Sequence, residues 1–199
     1  MPSAWQAIKS LNQRWEKMNR RTFISGGLGL CAGSFLLPGM LRGVMNQSDV
    51  MKMELESGTV TIQLFSDLAP RHVERIKALV QAGFYEGMPF ARVMKDFMVQ
   101  TGDPVKVSRA GHWRLPVLDA EFSSLPFERG TVGMARSKHP NSATHQFFIT
   151  TSRAKYLDQK YTVFGKVADG MQFVEQLHYG EHETGAVANP EKIKRLILA

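Results

Sequence analysis

From Val50 onward the chain alternates apolar and polar positions: Met51, Met53 and Leu55 fall between Lys52, Glu54 and Glu56. That period of two predicts a strand with one buried face. Ser57-Gly58 supplies turn chemistry, and Thr59 to Phe65 alternates again, so the start of this region reads as a hairpin. Pro70 suits the first turn of a helix, and Val73, Ile76, Lys77, Leu79 and Val80 continue one face as far as Gly83, a natural stop. Phe90 to Gln100 reads as a strand broken by Gly102-Asp103-Pro104, and residues 105–130 as loop. Three further strands are expected at Thr131 to Ala135, Gln146 to Thr150 and Thr162 to Val167. A second helix is expected over Met171 to Leu177, and a closing strand over Ile193 to Leu198. Many short strands with two helices point to an all-β barrel or sandwich.

The stretch before Val50 is different. Asn19-Arg20-Arg21-Thr22-Phe23-Ile24-Ser25 carries a paired arginine, and Thr22 to Leu41 then lacks any charge until Arg42. Five glycines (Gly26, Gly27, Gly29, Gly33 and Gly39) make that run only mildly apolar and a poor helix by itself. It resembles a bacterial twin-arginine export signal. A core helix, a retained anchor spanning residues 22–41 and a lipoprotein signal at Cys31 stay open as alternatives. Met18, just ahead of the motif, is an alternative start to Met1. The chain is therefore divided into an extension with an export signal or anchor at 1–47 and a folded domain at 48–199. The expected location is periplasmic or exported, with attachment to the inner membrane through residues 22–41 as one form of it.

Charge changes the picture only by its location. The net +7 of the 199 residues is mostly in the extension, where six basic residues face Glu16 alone. The remainder has 19 basic and 17 acidic side chains, a weak footprint for a phosphate backbone, so nucleic acid is excluded as a partner. Cys31 is the single cysteine, which rules out an intramolecular disulfide and a thiolate metal site. Of the six histidines only His178 and His182 are closely spaced. We expect no metal and no cofactor.

Three blocks carry the chemistry. They are Phe90-Ala91-Arg92-Val93-Met94-Lys95-Asp96-Phe97-Met98-Val99-Gln100-Thr101-Gly102-Asp103-Pro104; Gly133-Met134-Ala135-Arg136 with Asn141-Ser142-Ala143-Thr144-His145-Gln146-Phe147-Phe148-Ile149; and Tyr156-Leu157-Asp158-Gln159-Lys160-Tyr161-Thr162-Val163-Phe164-Gly165-Lys166-Val167. In this order and spacing, over about residues 50–199, the sequence resembles the cyclophilins. The resemblance implies an eight-stranded antiparallel closed barrel capped by two α-helices. It also implies isomerisation of X–Pro bonds in proline-containing polypeptides; taken with the leader, the expected role is to assist the folding of exported proteins, and the chain is expected to be a monomer.

Carried over residue by residue, the resemblance makes Arg92 the catalytic arginine and Gln100 its orienting partner. With both in one strand, eight residues apart, they are expected on one face. Phe97, Met98, Phe148 and Leu157 match the proline-holding surface, with Phe147 facing the core instead. Ala135, Arg136 and Gln146 match positions that hold substrate backbone, Arg136 through its main chain. The sequence departs from the family at Tyr156, where drug-sensitive members have tryptophan, and at Tyr161, where histidine is common at the pocket rim. The loop after Asp103 lacks the family's glycine-rich run. The Tyr156 departure generates a test. Without an indole N–H, cyclosporin inhibition should be weak, and Tyr156→Trp should tighten it in an inhibition titration. Low-nanomolar binding by the unsubstituted protein would contradict the argument from that contact.

Overall fold

A computed structural model describes residues 49–104 and 115–199. The extension with Arg20, Arg21 and residues 22–41, the boundary at residue 48 and the loop after Pro104 lie outside the described residues. Eight antiparallel strands form one curled sheet: β1 Val50–Glu54, β2 Thr59–Leu64, β3 Arg92–Met94, β4 Met98–Thr101, β5 Thr131–Met134, β6 Phe147–Thr150, β7 Val163–Asp169 and β8 Arg195–Leu198. Their order across the sheet is β3-β4-β6-β5-β7-β2-β1-β8. Two helices accompany it, α1 at Pro70–Gln81 and α2 at Met171–Glu175.

The alternation read from the sequence sets the inner face. Met51 and Met53 of β1, Val60 and Ile62 of β2, and Phe147 and Ile149 of β6 are fully buried together with Val73, Ile76 and Leu79 of α1. The first hairpin turns where Ser57-Gly58 predicts, with Leu55 N–H donating to the Gly58 carbonyl at 2.8 Å and Glu54 paired with Thr59. α1 ends as its composition indicates. Gly83 takes φ +67°, and the amides of Gly83 and Phe84 donate back to the carbonyls of Val80 and Leu79.

The sequence-based picture needs correction at three places. The expected closed barrel is an open, curled half-barrel, because its terminal strands β3 and β8 do not pair as a ladder. Irregular chain spans the gap instead. Val93 N–H donates to the Gly185 carbonyl at 2.8 Å, Phe90 N–H to Glu191 at 2.9 Å and Ile193 N–H to Met88 at 2.9 Å. Pro89 and Pro190 lie on the facing segments and have no N–H to offer, so a continuous ladder cannot propagate there. The expected strand Phe90 to Gln100 is two strands, β3 and β4, joined at Lys95-Asp96-Phe97 with Asp96 at φ +54°. An aspartate tolerates this left-handed conformation better than most residues. The second helix is shorter than expected, ending at Glu175 rather than Leu177.

α1 begins without a side-chain cap from Ala69. The carboxylate of Glu121, about fifty residues downstream, takes that role by accepting from the Arg71 and His72 amides at 3.1 and 3.0 Å. It also accepts the His72 Nδ1 proton at 2.6 Å, while Nε2 is buried without a hydrogen-bond partner. This carboxylate therefore ties the helix to the irregular chain leading into β5. Burial pushes the His72 imidazole below its ordinary pKa, more than the adjacent Glu121 raises it. Burial raises the Glu121 carboxyl, but the His72 ring and the two amides outweigh it and hold the group below the usual range. Burial pushes the His145 imidazole down as well.

Each lowered group binds fewer protons folded than unfolded, so stability is complete above the unfolded histidine pKa of about 6.5 and falls as pH drops below it. The denaturant midpoint should decline between about pH 6.5 and 5, and His72→Gln should flatten that decline, leaving the His145 contribution. A midpoint constant from neutral pH to pH 5 would refute the assignment.

Candidate active site

The β3–β4 hairpin corrects the expected geometry and explains why the site assembles. Eight residues of straight strand would hold Arg92 and Gln100 about 27 Å apart. Folded back, they are direct cross-strand partners. Arg92 Nη1 donates to Gln100 Oε1 at 3.4 Å, Nη2 contacts Met94 Sδ at 3.0 Å and Nε donates to the Thr184 carbonyl at 2.9 Å. Gln100 in turn donates from Nε2 to Gln146 Oε1 at 2.8 Å. A long flexible cation is thereby held on three sides, with its fork fixed relative to the sheet.

Beside it opens a pocket of about 210 Å³, lined by Arg92, Phe97, Met98, Gln100, Ala135, Arg136, Phe148, Leu157 and Tyr161. Met98, Phe148 and Leu157 are buried and belong to a second apolar cluster with Phe127, Ala154 and Val163. The pleat makes this possible. On β6, Phe147 and Ile149 enter the main core while Phe148 enters the second cluster; on β4, Val99 and Met98 divide in the same way. Gly133 on β5 leaves the space in which the rings of Phe127 and Phe148 stack at 5.6 Å, since a Cβ there would lie 2.6 Å from both.

The rim of the pocket is tied down by polar contacts across long sequence separations. Asp158 accepts the Phe127 amide at 2.9 Å and pairs with Arg153. The Ala154 amide donates to the Phe127 carbonyl at 2.9 Å. These bonds fix the short turn that presents Leu157. Tyr161 stands edge-on to Phe148 at 5.9 Å and forms the opposite wall.

Nine of the eleven sequence-predicted site residues therefore line one pocket. The other two lie beside it. Gln146 lines an adjoining cavity with Ala91, Thr101, Asp103, Thr184 and Ala186, which it shares with Arg92 and Gln100. Tyr156 is 60% exposed and packs on the outer side of Phe97 at 5.5 Å. Phe147 is in the core as expected. Sequence reasoning missed Phe127, Met94 and the Thr184 carbonyl. Phe127 sits in a stretch read as loop, and a main-chain acceptor 92 residues from Arg92 leaves no mark in the sequence.

Residues 50–197 match the family model described as "Cyclophilin type peptidyl-prolyl cis-trans isomerase/CLD". The chain belongs to the cyclophilin family. A "Probable peptidyl-prolyl cis-trans isomerase" of Brucella suis is 42% identical over 186 residues, covering 86% of this chain and 94% of that one. "Peptidyl-prolyl cis-trans isomerase 10" of Caenorhabditis elegans is 44% identical over 124 residues, covering 61% and 76%. Among solved structures, a Cryptosporidium parvum cyclophilin type peptidyl-prolyl cis-trans isomerase, crystallised in the presence of the dipeptide Ala-Pro, superposes with a TM-score of 0.66 at 27% identity, covering 75% of this chain and 98% of that one. Cyclophilin AquaCyp293 of Hirschia baltica gives a TM-score of 0.70 at 24% identity, covering 77% and 75%; this supports the fold. This cyclophilin is thus a peptidyl-prolyl cis/trans isomerase.

Proposed function

We propose that the groove binds a proline-containing polypeptide with the proline ring on Met98, Phe148, Leu157 and Phe97, and that Arg92 drives the rotation. The observation that carries this reading is the immobilised guanidinium at the edge of an apolar pocket. An X–Pro bond rotates slowly because its partial double bond must be lost, against a barrier of about 18–20 kcal/mol. Twisting localises a lone pair on the proline nitrogen. A donor already aimed at that position stabilises the twisted amide more than either planar isomer and pays no reorganisation cost. Each tenfold in rate requires about 1.4 kcal/mol, within reach of a charge-assisted bond in a partly dehydrated groove. The planar fork suits the role because Gln100 and the Thr184 carbonyl fix its orientation, which a rotating ammonium would lack.

In this reading Gln100 orients Arg92, and Ala135, Arg136 and Gln146 hold the substrate backbone through neighbouring polar groups. The Ala-Pro present with the Cryptosporidium relative supports a proline peptide as substrate. Arg92→Ala should lower kcat/KM by at least about tenfold, the loss of one such bond. A proline-peptide isomerisation assay with circular dichroism as the folding control checks this; unchanged turnover in a folded variant refutes the assignment. A module that binds proline segments without turnover would retain affinity and show no rate enhancement in either form.

The clients we propose are exported polypeptides. Arg20-Arg21 before an uncharged, glycine-rich stretch supports a twin-arginine route. The absence of cysteine from residues 48–199 is compatible with folding before export. Replacing both arginines by lysine should retain the protein in the cytoplasm, as measured by cell fractionation and isomerase activity. Export of the Lys-Lys form would leave the pair as a basic flank of another signal. Intact chain in the membrane pellet would instead identify residues 22–41 as an anchor.

A further inference from the structure

The resemblance assigns Arg136 a role through its main chain, yet its side chain is one of the most constrained around the groove. Nη1 donates to the carbonyls of Ser137 at 2.9 Å and Lys138 at 3.3 Å, and Nη2 donates to the Lys160 carbonyl at 2.9 Å. Its guanidinium carbon lies 4.1 Å from the centre of the Tyr161 ring. Every one of these partners is neutral. They fix the cation without cancelling its charge, and the stacked ring orients it as a planar fork.

The lining of the pocket carries charge of one sign only. Arg92 and Arg136 are the only charged residues among those lining the pocket. Among the described residues, none of Arg92, Arg136, Lys138 and Lys160 has a carboxylate within ion-pair distance, a state they share with several surface lysines such as Lys52 and Lys166. Asp158, the acidic residue in the turn beside Lys160, is already held by Arg153. Lys138 and Lys160 are exposed, and their main-chain carbonyls, not their ammonium groups, seat Arg136. A surface arginine serving only as a clamp would be equally indifferent to any peptide. A fixed, uncompensated one beside a partly dehydrated groove is a binding element for negative charge.

We propose that Arg136, held on Tyr161, makes this enzyme select substrates with a carboxylate side chain, aspartate or glutamate, adjacent to the proline. The proposal rests on the isomerase reading of the groove and extends it to the class of substrate.

The test uses the full chain and short peptides that differ only in the residue before or after proline: glutamate, glutamine or lysine. Two-dimensional NMR exchange measures cis/trans rates without a coupling protease. At low ionic strength the glutamate peptide should be turned over about fivefold faster than its glutamine isostere at one of the two positions, the upper range for a partly exposed ion pair, and the lysine peptide more slowly. That ratio should fall towards one in about 0.5 M salt. Arg136→Gln should abolish the ratio, and Arg136→Lys should keep part of it, because charge remains while the stacked fork is lost. Equal rates for glutamate and glutamine at both positions overturn the proposal. So does a preference that persists in folded Arg136→Gln, or one in the unsubstituted enzyme that salt does not diminish. The last comparison needs no variant, so misfolding cannot shield the idea. Failure to turn over even a neutral Ala-Pro peptide would count against the isomerase reading itself, a distinct result.

Discussion

Strands β4 and β6 must be apolar on both faces at once, and most of the architecture follows from that demand. Val99, Phe147 and Ile149 fill the main core under α1, whereas Met98 and Phe148 on the reverse side make the floor of the pocket. A strand buried on both faces cannot slip by a residue without exchanging its two sets of side chains. The floor of the site is therefore fixed in register by the packing of the core. Removing the Phe147 ring would cost about 3–5 kcal/mol in lost apolar burial and cavity formation together and would disturb the position of its neighbour Phe148.

Around this rigid floor the rim is built from irregular chain, which has too little apolar surface to hold itself. Isolated polar bonds across long sequence separations do the holding. Glu121 ties the segment before β5 to the start of α1, Asp158 ties Phe127 to the turn carrying Leu157, and Tyr85 donates its hydroxyl proton to the His145 carbonyl at 2.7 Å. Glu121 also donates its amide to Thr162 Oγ1 at 2.9 Å, next to the wall residue Tyr161. Each bond satisfies a group that burial would otherwise leave unpaired. Their concentration around the groove gives a rim of defined shape on segments without regular structure.

These two kinds of order were not equally visible beforehand. Period-two alternation predicted β1 and β2 to within a residue or two, and β5, β6 and β7 were expected within the same margin, because burial on one or both faces leaves a compositional trace. The hairpin at Asp96 left none: Phe90 to Gln100 has no glycine or Asn-Gly pair, and its apolar spacing fits one long strand. The open seam was equally hidden, since the resemblance implies closure and the interruption comes where Pro89 and Pro190 lie on the two facing segments, Pro89 opposite Lys192. For the site, residue types carried the pocket floor and Arg92 well. They could not convey that Tyr156 lies outside the pocket, that a carbonyl at Thr184 holds the arginine, or that Arg136 is clamped through its side chain.

The contact between Arg92 and the Thr184 carbonyl also has a temporal meaning. Arg92 is made early, but its acceptor belongs to the segment that crosses the open seam, which bonds to β3 and its flank through the main chains of Gly180, Gly185 and Val187. Folding during synthesis proceeds from the N-terminal side. A nascent chain can therefore form the β1–β2 hairpin, α1 and the β3–β4 hairpin with its arginine held by Gln100 and Met94 but not by the Thr184 carbonyl. The third anchor of the guanidinium is added only once Thr184 has been synthesised.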